Sequence, residues 1–155
     1  MCGQNVRGLA NKHQREAVLR SLRSHFPVVA LCETWAQPAD EILWARDWGA
    51  GSCFWQSVTD GSRSKGVALL FADSVLLTDV HEHRGDGQYE GRFLAVSARV
   101  FELPMICVAT YAPSRSEERA QADFFHWVGR QLANIPDLAT HTVVWAMARR
   151  PQQRP

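Results

Sequence analysis

Two apolar runs, Val28-Val29-Ala30-Leu31-Cys32 and Val67-Ala68-Leu69-Leu70-Phe71, constrain this chain more than any other feature. Each has the length of a strand buried on both faces and is far too short to cross a bilayer. Strands of that kind need cover on both sides. Residues 12–24 supply some of it: Val18, Leu22 and Phe26 follow an i, i+4, i+8 stripe backed by Leu19, and Pro27 ends the helix. The helix joins an opening segment, residues 1–4, read as the stub of a strand or loop, to the strand Val28–Cys32. A strand, a crossover helix and a second strand place the two strands side by side with the helix over one face.

The rest of the chain mixes crossovers with hairpins. A short helix is expected over residues 38–48, carrying Ile42, Leu43 and Trp44, and a strand at Cys53-Phe54-Trp55. Residues 60–64 read as a polar loop, 65–71 as a strand opened by Lys65-Gly66, 74–80 as a further strand, and 81–91, polar and glycine-rich, as a loop. Strands 92–100 and 105–110 are joined in hairpin fashion at Glu102-Leu103-Pro104, and Tyr111-Ala112-Pro113-Ser114 breaks the second. Residues 116–133 read as a helix with Ala120, Phe124, Val128 and Leu132 on one face and Ser114 or Ser116 as its cap. A buried strand follows at 142–145, and residues 146–155 show no periodicity and read as an unstructured tail. This order favours an α/β fold of two packed sheets with outer helices over a doubly wound parallel sheet.

Composition narrows the function. At 155 residues the chain is one domain or part of one. Its net charge of +1, from 17 basic and 16 acidic residues, gives no global basic field for nucleic acid. Six Trp must find a core, a groove or a partner. Cys2, Cys32, Cys53 and Cys107 form no CxxC pair, so structural zinc has little support, and Cys32 and Cys107 sit in apolar runs as small hydrophobes. A reducing, intracellular setting fits this usage, the nucleus included; the first nine residues have no signal-peptide core. The bases Lys12, Arg15, Arg20 and Arg23 read as a solvated helix face. His81 and His83, an i, i+2 pair without further ligands, are a weak metal signal.

Four segments sit at ends of expected strands, where loops meet a rigid scaffold: Asn5-Val6-Arg7-Gly8-Leu9, Leu31-Cys32-Glu33-Thr34-Trp35, Ser64-Lys65-Gly66-Val67-Ala68-Leu69-Leu70 and Thr110-Tyr111-Ala112-Pro113. Glu33 follows five apolar residues, which holds its carboxylate at the rim of a packed strand. Mg²⁺ takes one or two carboxylates plus waters and substrate phosphate, so Glu33 is a candidate ligand. Read from the residues alone, Glu33 is better explained as a solvated acid at a strand end, while Asn5 is equally a left-handed turn residue and Tyr111 equally an aromatic capping the core. Lys65 and Arg92 are candidates for contact with a phosphodiester backbone.

In this order the four segments resemble the endonuclease/exonuclease/phosphatase superfamily, and within it the apurinic-type endonuclease domain of LINE-type (non-LTR) retrotransposons, over about residues 5–145. That resemblance implies an α/β two-sheet β-sandwich flanked by helices, a Mg²⁺ cofactor, DNA as partner and phosphodiester hydrolysis. It makes Glu33 the metal ligand, puts Asn5 at metal or phosphate, and has Tyr111 orient or polarise the scissile phosphate. It also implies a Gly-Asp-x-Asn segment after the strand at 142–145 and a Ser-Asp-His segment beyond. Ala146-Met147-Ala148-Arg149 stands in the first place, and neither segment occurs. Residues 1–145 are therefore expected to be the N-terminal part of such a domain, an incomplete sandwich that is inactive alone and binds Mg²⁺ weakly. The apolar faces of residues 67–71, 93–100 and 105–108 are expected to be partly uncovered. The alternatives are a phosphatase or phospholipase branch of the same superfamily, or a non-catalytic remnant binding nucleic acid or protein.

Overall fold

The computed structural model describes residues 1–59, 65–114 and 117–148. Among the described residues are eight strands, β1 (Cys2–Asn5), β2 (Val28–Cys32), β3 (Gly51–Gln56), β4 (Val67–Ala72), β5 (Leu77–Arg84), β6 (Phe93–Val100), β7 (Leu103–Tyr111) and β8 (Thr142–Ala148), and three α-helices, α1 (Lys12–His25), α2 (Asp40–Trp48) and α3 (Glu118–Ala133). They form two mixed sheets, ordered β1-β2-β4-β3 and β5-β6-β7-β8. In the first, α1 carries the chain from β1 to a parallel β2, and β4 and β3 follow antiparallel. In the second, β5, β6 and β7 form an antiparallel meander, and α3 crosses to a parallel β8.

Side-chain alternation stacks these parts as helices, sheet, sheet, helix. Along β4, Val67, Leu69 and Phe71 face the second sheet, while Ala68 and Leu70 lie under α1 and α2. Along β6, Leu94, Val96, Ala98 and Val100 meet the first sheet, and Phe93 and Ala95 lie under α3. Four of the six Trp are buried. Trp44 and Trp48 anchor α2, with the Trp48 indole donating to the Phe71 carbonyl at 3.0 Å and Trp44 meeting the Trp55 ring edge-on at 5.7 Å. Trp127 of α3 packs perpendicular to Phe93 at 5.2 Å. Burial raises the Cys107 thiol to about 11 and the Cys53 thiol to about 12, so both stay protonated and act as apolar filling.

The faces expected to be partly uncovered are not. Val67 through Phe71 are at most 1% exposed, because each sheet covers the other and helices cover the outer faces. Exposed apolar side chains lie elsewhere, among them Ile42 and Leu43 on α2, Leu76 just ahead of β5, Phe101 and Leu103 at the β6–β7 turn, and Val143, Trp145 and Met147 on the edge strand β8. That strand runs through Ala148, three residues into the expected tail, because β7 offers it a ladder as far as Tyr111. Residues 149–155 and the expected loop 60–64 lie outside the described residues.

Other expectations also shift. His81 to Arg84, read as loop, belong to β5. This edge strand is polar on both faces and its pairing is interrupted between Thr78 and His81, so no apolar alternation announced it. The β6–β7 hairpin turns at Phe101-Glu102, both with positive φ (48° and 67°), one residue ahead of the expected turn. Arg15 is not on a solvated face. It is 7% exposed, ion-paired with Asp47 at 2.6 Å, bonded to the Leu9 carbonyl at 2.8 Å, and stacked over Trp44, so it ties α1 to α2. Phe26 is exposed, and Leu19 is the stripe's buried centre. Helix α3 begins after Glu117 with no side-chain cap, and the Ser114 carbonyl accepts from the Glu117 amide at 3.0 Å; Ser116, the other expected cap, lies outside the described residues.

Two measurements bear on this architecture. The side chain of Asn11 caps α1 by accepting from the Gln14 amide at 3.0 Å. Asn11→Ala should cost about 1 kcal/mol, read from urea unfolding midpoints at unchanged slope. On β5, His83 bonds the Ser97 hydroxyl at 3.0 Å in a groove that also holds Asp79, His81, Glu82, Arg99, Asp137 and His141. Burial, and then the neighbouring His81, lower the His83 pKa below its ordinary 6.5. The unfolded chain then binds more protons between the two values. The stabilising contribution is complete above the unfolded pKa and is lost as pH falls through the folded one. The melting temperature should therefore decline as pH falls below His83's ordinary 6.5, and His83→Gln should make that decline shallower. An unchanged slope in the variant would remove His83 as its source.

Candidate active site

The site is assembled where three strand ends converge. Asn5 closes β1, Glu33 follows β2 directly, and Tyr111 closes β7 of the other sheet. The pairing Asn5↔Cys32 sets the first two side by side. Asn5 donates through Nδ2 to Glu33 Oε1 at 3.1 Å, and the Tyr111 hydroxyl donates to the same oxygen at 2.5 Å. Glu33 is 7% exposed and Tyr111 2%. A buried carboxylate is tolerated when charge-assisted hydrogen bonds replace its water, and both of these are of that kind. Among the described residues both bonds fall on Oε1, leaving Oε2 without one.

The backbone is unusual at these points. Arg7, Glu33 and Trp35 have φ of 50°, 56° and 59°, a left-handed conformation that costs a side-chain-bearing residue about 1–3 kcal/mol. Cross-strand bonds hold them there. Gly8 and Leu9 amides donate to the Glu33 and Thr34 carbonyls at 2.7 and 3.0 Å, and the Thr34 and Trp35 amides donate to the Gly66 and Lys65 carbonyls at 3.2 and 3.0 Å. The Asn5 carboxamide oxygen accepts from the Arg7 amide at 3.1 Å, which fixes the amide so that its NH₂ points at Glu33. Gly8 has φ of 94° and lies so close beneath the Trp35 ring that a Cβ there would stand 2.2 Å from it.

All five residues singled out from the sequence lie on the segments that meet here, in different roles. Asn5, Glu33 and Tyr111 are in direct contact. Lys65 contributes its carbonyl to the loop carrying Glu33. Arg92 lies against Tyr111: its Nη1 donates to the Tyr111 carbonyl at 3.2 Å and its guanidinium sits 5.3 Å from the ring centre. The supporting residues were not singled out. Thr34 is completely buried, and Cys32 and Trp145 both bond Thr110, through its carbonyl at 3.4 Å and its hydroxyl at 2.8 Å. For Cys32, Thr34 and Thr110 the available signal was adjacency to Glu33 and Tyr111; Trp145 had none.

The donor set suits a hard cation. Glu33 Oε2 is a hard carboxylate oxygen, the Asn5 carboxamide oxygen is already engaged by the Arg7 amide, and no sulfur or imidazole is in the cluster. Among the described residues no group of three or more His, Cys, Asp or Glu could hold a metal ion. These residues therefore fit an ion that keeps most of its waters, as Mg²⁺ does, and not a protein-caged one. No described helix is long and apolar enough to cross a membrane.

The chain superposes on a humanized D. rerio TDP2 carrying 14 mutations with a TM-score of 0.63, at 15% identity, over 94% of this chain and 59% of that one. It superposes on D. rerio TDP2 complexed with single strand DNA product with a TM-score of 0.62, at 14% identity, over 86% and 52%. For an AP endonuclease from Archaeoglobus fulgidus the TM-score is 0.60, at 17% identity, over 94% and 55%. The chain thus spans between 52% and 59% of the length of these structures, and at such identities the likeness is one of fold. A search of curated protein sequences gives no significant match. Residues 2–146 match the family model described as Endonuclease/Exonuclease/phosphatase family, nearly the whole chain, in the two-sheet architecture its structural neighbours share. The chain belongs to the endonuclease/exonuclease/phosphatase family.

Proposed function

We propose that Asn5, Glu33 and Tyr111 form the metal and phosphate end of a Mg²⁺-dependent DNA endonuclease site of LINE-type retroelement kind. The observation that carries this reading is the Glu33 carboxylate, buried at a strand end with one oxygen fixed by Asn5 and Tyr111 and the other unbonded among the described residues. Divalent metals are the family's general cofactor. Mg²⁺, held by Glu33 Oε2 with Asn5 beside it, would supply Lewis-acid neutralisation of a phosphoryl oxygen. Tyr111 spends its proton on Glu33 and so fixes the carboxylate rotamer next to the phosphate, while Lys65 offers charge to the backbone at the same rim. DNA is favoured as substrate by the order of the four motifs and by fold likeness to a TDP2 complexed with single strand DNA product.

These 155 residues carry no Gly-Asp-x-Asn or Ser-Asp-His segment to position the attacking water and steady the phosphoryl oxygens. Losing one such acid–base group typically costs a factor of about 10²–10⁴, so we expect Mg²⁺ binding without turnover. The test pairs two measurements on the 155-residue chain: the Glu33 side-chain carboxyl resonance during a Mg²⁺ titration, and nicking of supercoiled plasmid. A resonance that moves at millimolar Mg²⁺ with intact plasmid is the expected result. A resonance indifferent to Mg²⁺ would overturn the metal reading. Nicking that vanishes in Glu33→Ala would overturn the inactivity.

A further inference from the structure

We propose that Arg92 is a positioning residue for Glu33: acting through Tyr111, it holds the phenol on the carboxylate instead of contacting the DNA backbone. The inference rests on the reading of Glu33 as metal ligand and adds to it a residue that touches neither metal nor phosphate.

Three contacts tie Arg92 to Tyr111. The Tyr111 amide donates to the Arg92 carbonyl at 2.8 Å, Arg92 Nη1 returns a bond to the Tyr111 carbonyl at 3.2 Å, and the guanidinium covers the ring at 5.3 Å. The first two clamp the backbone on either side of the tyrosine Cα. The third bears on a ring that two soft torsions would otherwise let move, and the ring's far end carries the hydroxyl that reaches Glu33 at 2.5 Å. A cation over an aromatic face is attracted by the ring's quadrupole, most strongly when water is excluded, and Tyr111 is 2% exposed. A second link runs through the backbone. The carbonyl of Gly91 accepts from the Gly66 amide at 2.9 Å, and the Gly66 carbonyl accepts from Thr34, the residue after Glu33. The segment bearing Arg92 thus reaches the Glu33 turn by two routes, one through a side chain and one through main chain. An ammonium on a flexible stem offers no planar group to lie on the ring, so lysine is a poor substitute.

The test is the Tyr111 hydroxyl proton in solution NMR. The chain has only two tyrosines, so Tyr111→Phe assigns the signal by removing it. In the native chain a short bond to a carboxylate should place this proton downfield of the amides. Arg92→Met should move it upfield and speed its exchange with water by roughly 3–30-fold, the range a cation over a ring face commands, with Arg92→Lys in between. A resonance and exchange rate unchanged in Arg92→Met would overturn the proposal, whatever the stability of the variant. Mg²⁺ affinity gives the second arm. Arg92→Met should weaken it, and should weaken it no further when added to Tyr111→Phe, because the two act in series. Full Mg²⁺ affinity in Arg92→Met, with the salt dependence of DNA binding reduced by about one ion, would instead mark Arg92 as a phosphate contact and overturn the proposal. If the native chain binds no Mg²⁺, the metal reading of Glu33 fails, while the hydroxyl proton still decides the role of Arg92.

Discussion

Gly66→Ala is expected to lower the unfolding free energy by about 2–5 kcal/mol, the sum of backbone strain and overpacking. Gly66 has φ of 102°, and a Cβ there would stand 2.3 Å from the hydroxyl of Thr34 and 3.2 Å from the Trp35 amide. Thr34 is completely buried and its hydroxyl has nowhere to retreat. Gly66 also receives the Thr34 amide and donates to Gly91, so displacing it shifts the turn that carries Glu33 and the loop that carries Arg92 together. Gly87→Ala is the control. Its φ of 51° is also left-handed, but a Cβ there meets nothing within 4 Å, so only the backbone cost of about 1 kcal/mol applies. Equal urea midpoints for the two variants would show that the crowding around Gly66 relaxes without cost.

Glu33→Gln should separate binding from stability. Glutamine keeps a side-chain oxygen that can accept from Tyr111 and Asn5, so the fold should change by no more than about 1 kcal/mol. The charge is lost, and with it the one carboxylate of the cluster. Even partners that only orient a metal ligand are worth roughly 10–100-fold in affinity, so removal of the ligand charge should weaken Mg²⁺ binding by at least that factor. Calorimetric titration of both proteins reads it. Equal Mg²⁺ affinity would place the ion elsewhere.

The parts of this molecule that were readable in the sequence share a physical cause. Residues 28–32 and 67–71 are apolar on both faces because each strand has a helix layer on one side and a sheet on the other, and such runs announce themselves. The meeting of Asn5, Glu33 and Tyr111 was anticipated because strand ends with Asn, Glu and Tyr in fixed order carry a family resemblance; neither Glu33 nor Tyr111 would have stood out alone. What escaped was decided by the tertiary setting. Edge strand β5 has solvent on too much of its surface to show a period, and β8 takes its length from β7. Arg15 reads as a surface base until Asp47, the Leu9 carbonyl and Trp44 are brought to it by a second helix. The place of Arg92 depends on a pairing between two strands, which local spacing cannot convey.

Each sheet is drawn from its own half of the chain, the first from Cys2 to Ala72 and the second from Leu77 to Ala148. This division sets a natural order of assembly. The ladders inside each half close comparatively short loops, and the Asn5–Glu33 pair spans 28 residues within the first half. The Tyr111–Glu33 bond spans 78 and requires the halves to meet. Contacts of long sequence separation come late, because the entropy of closing the intervening chain is lost before they can repay it. The carboxylate would thus acquire its amide partner while the first sheet forms and its phenol partner only on docking, so the hydroxyl proton of Tyr111 times the last event in the making of this site.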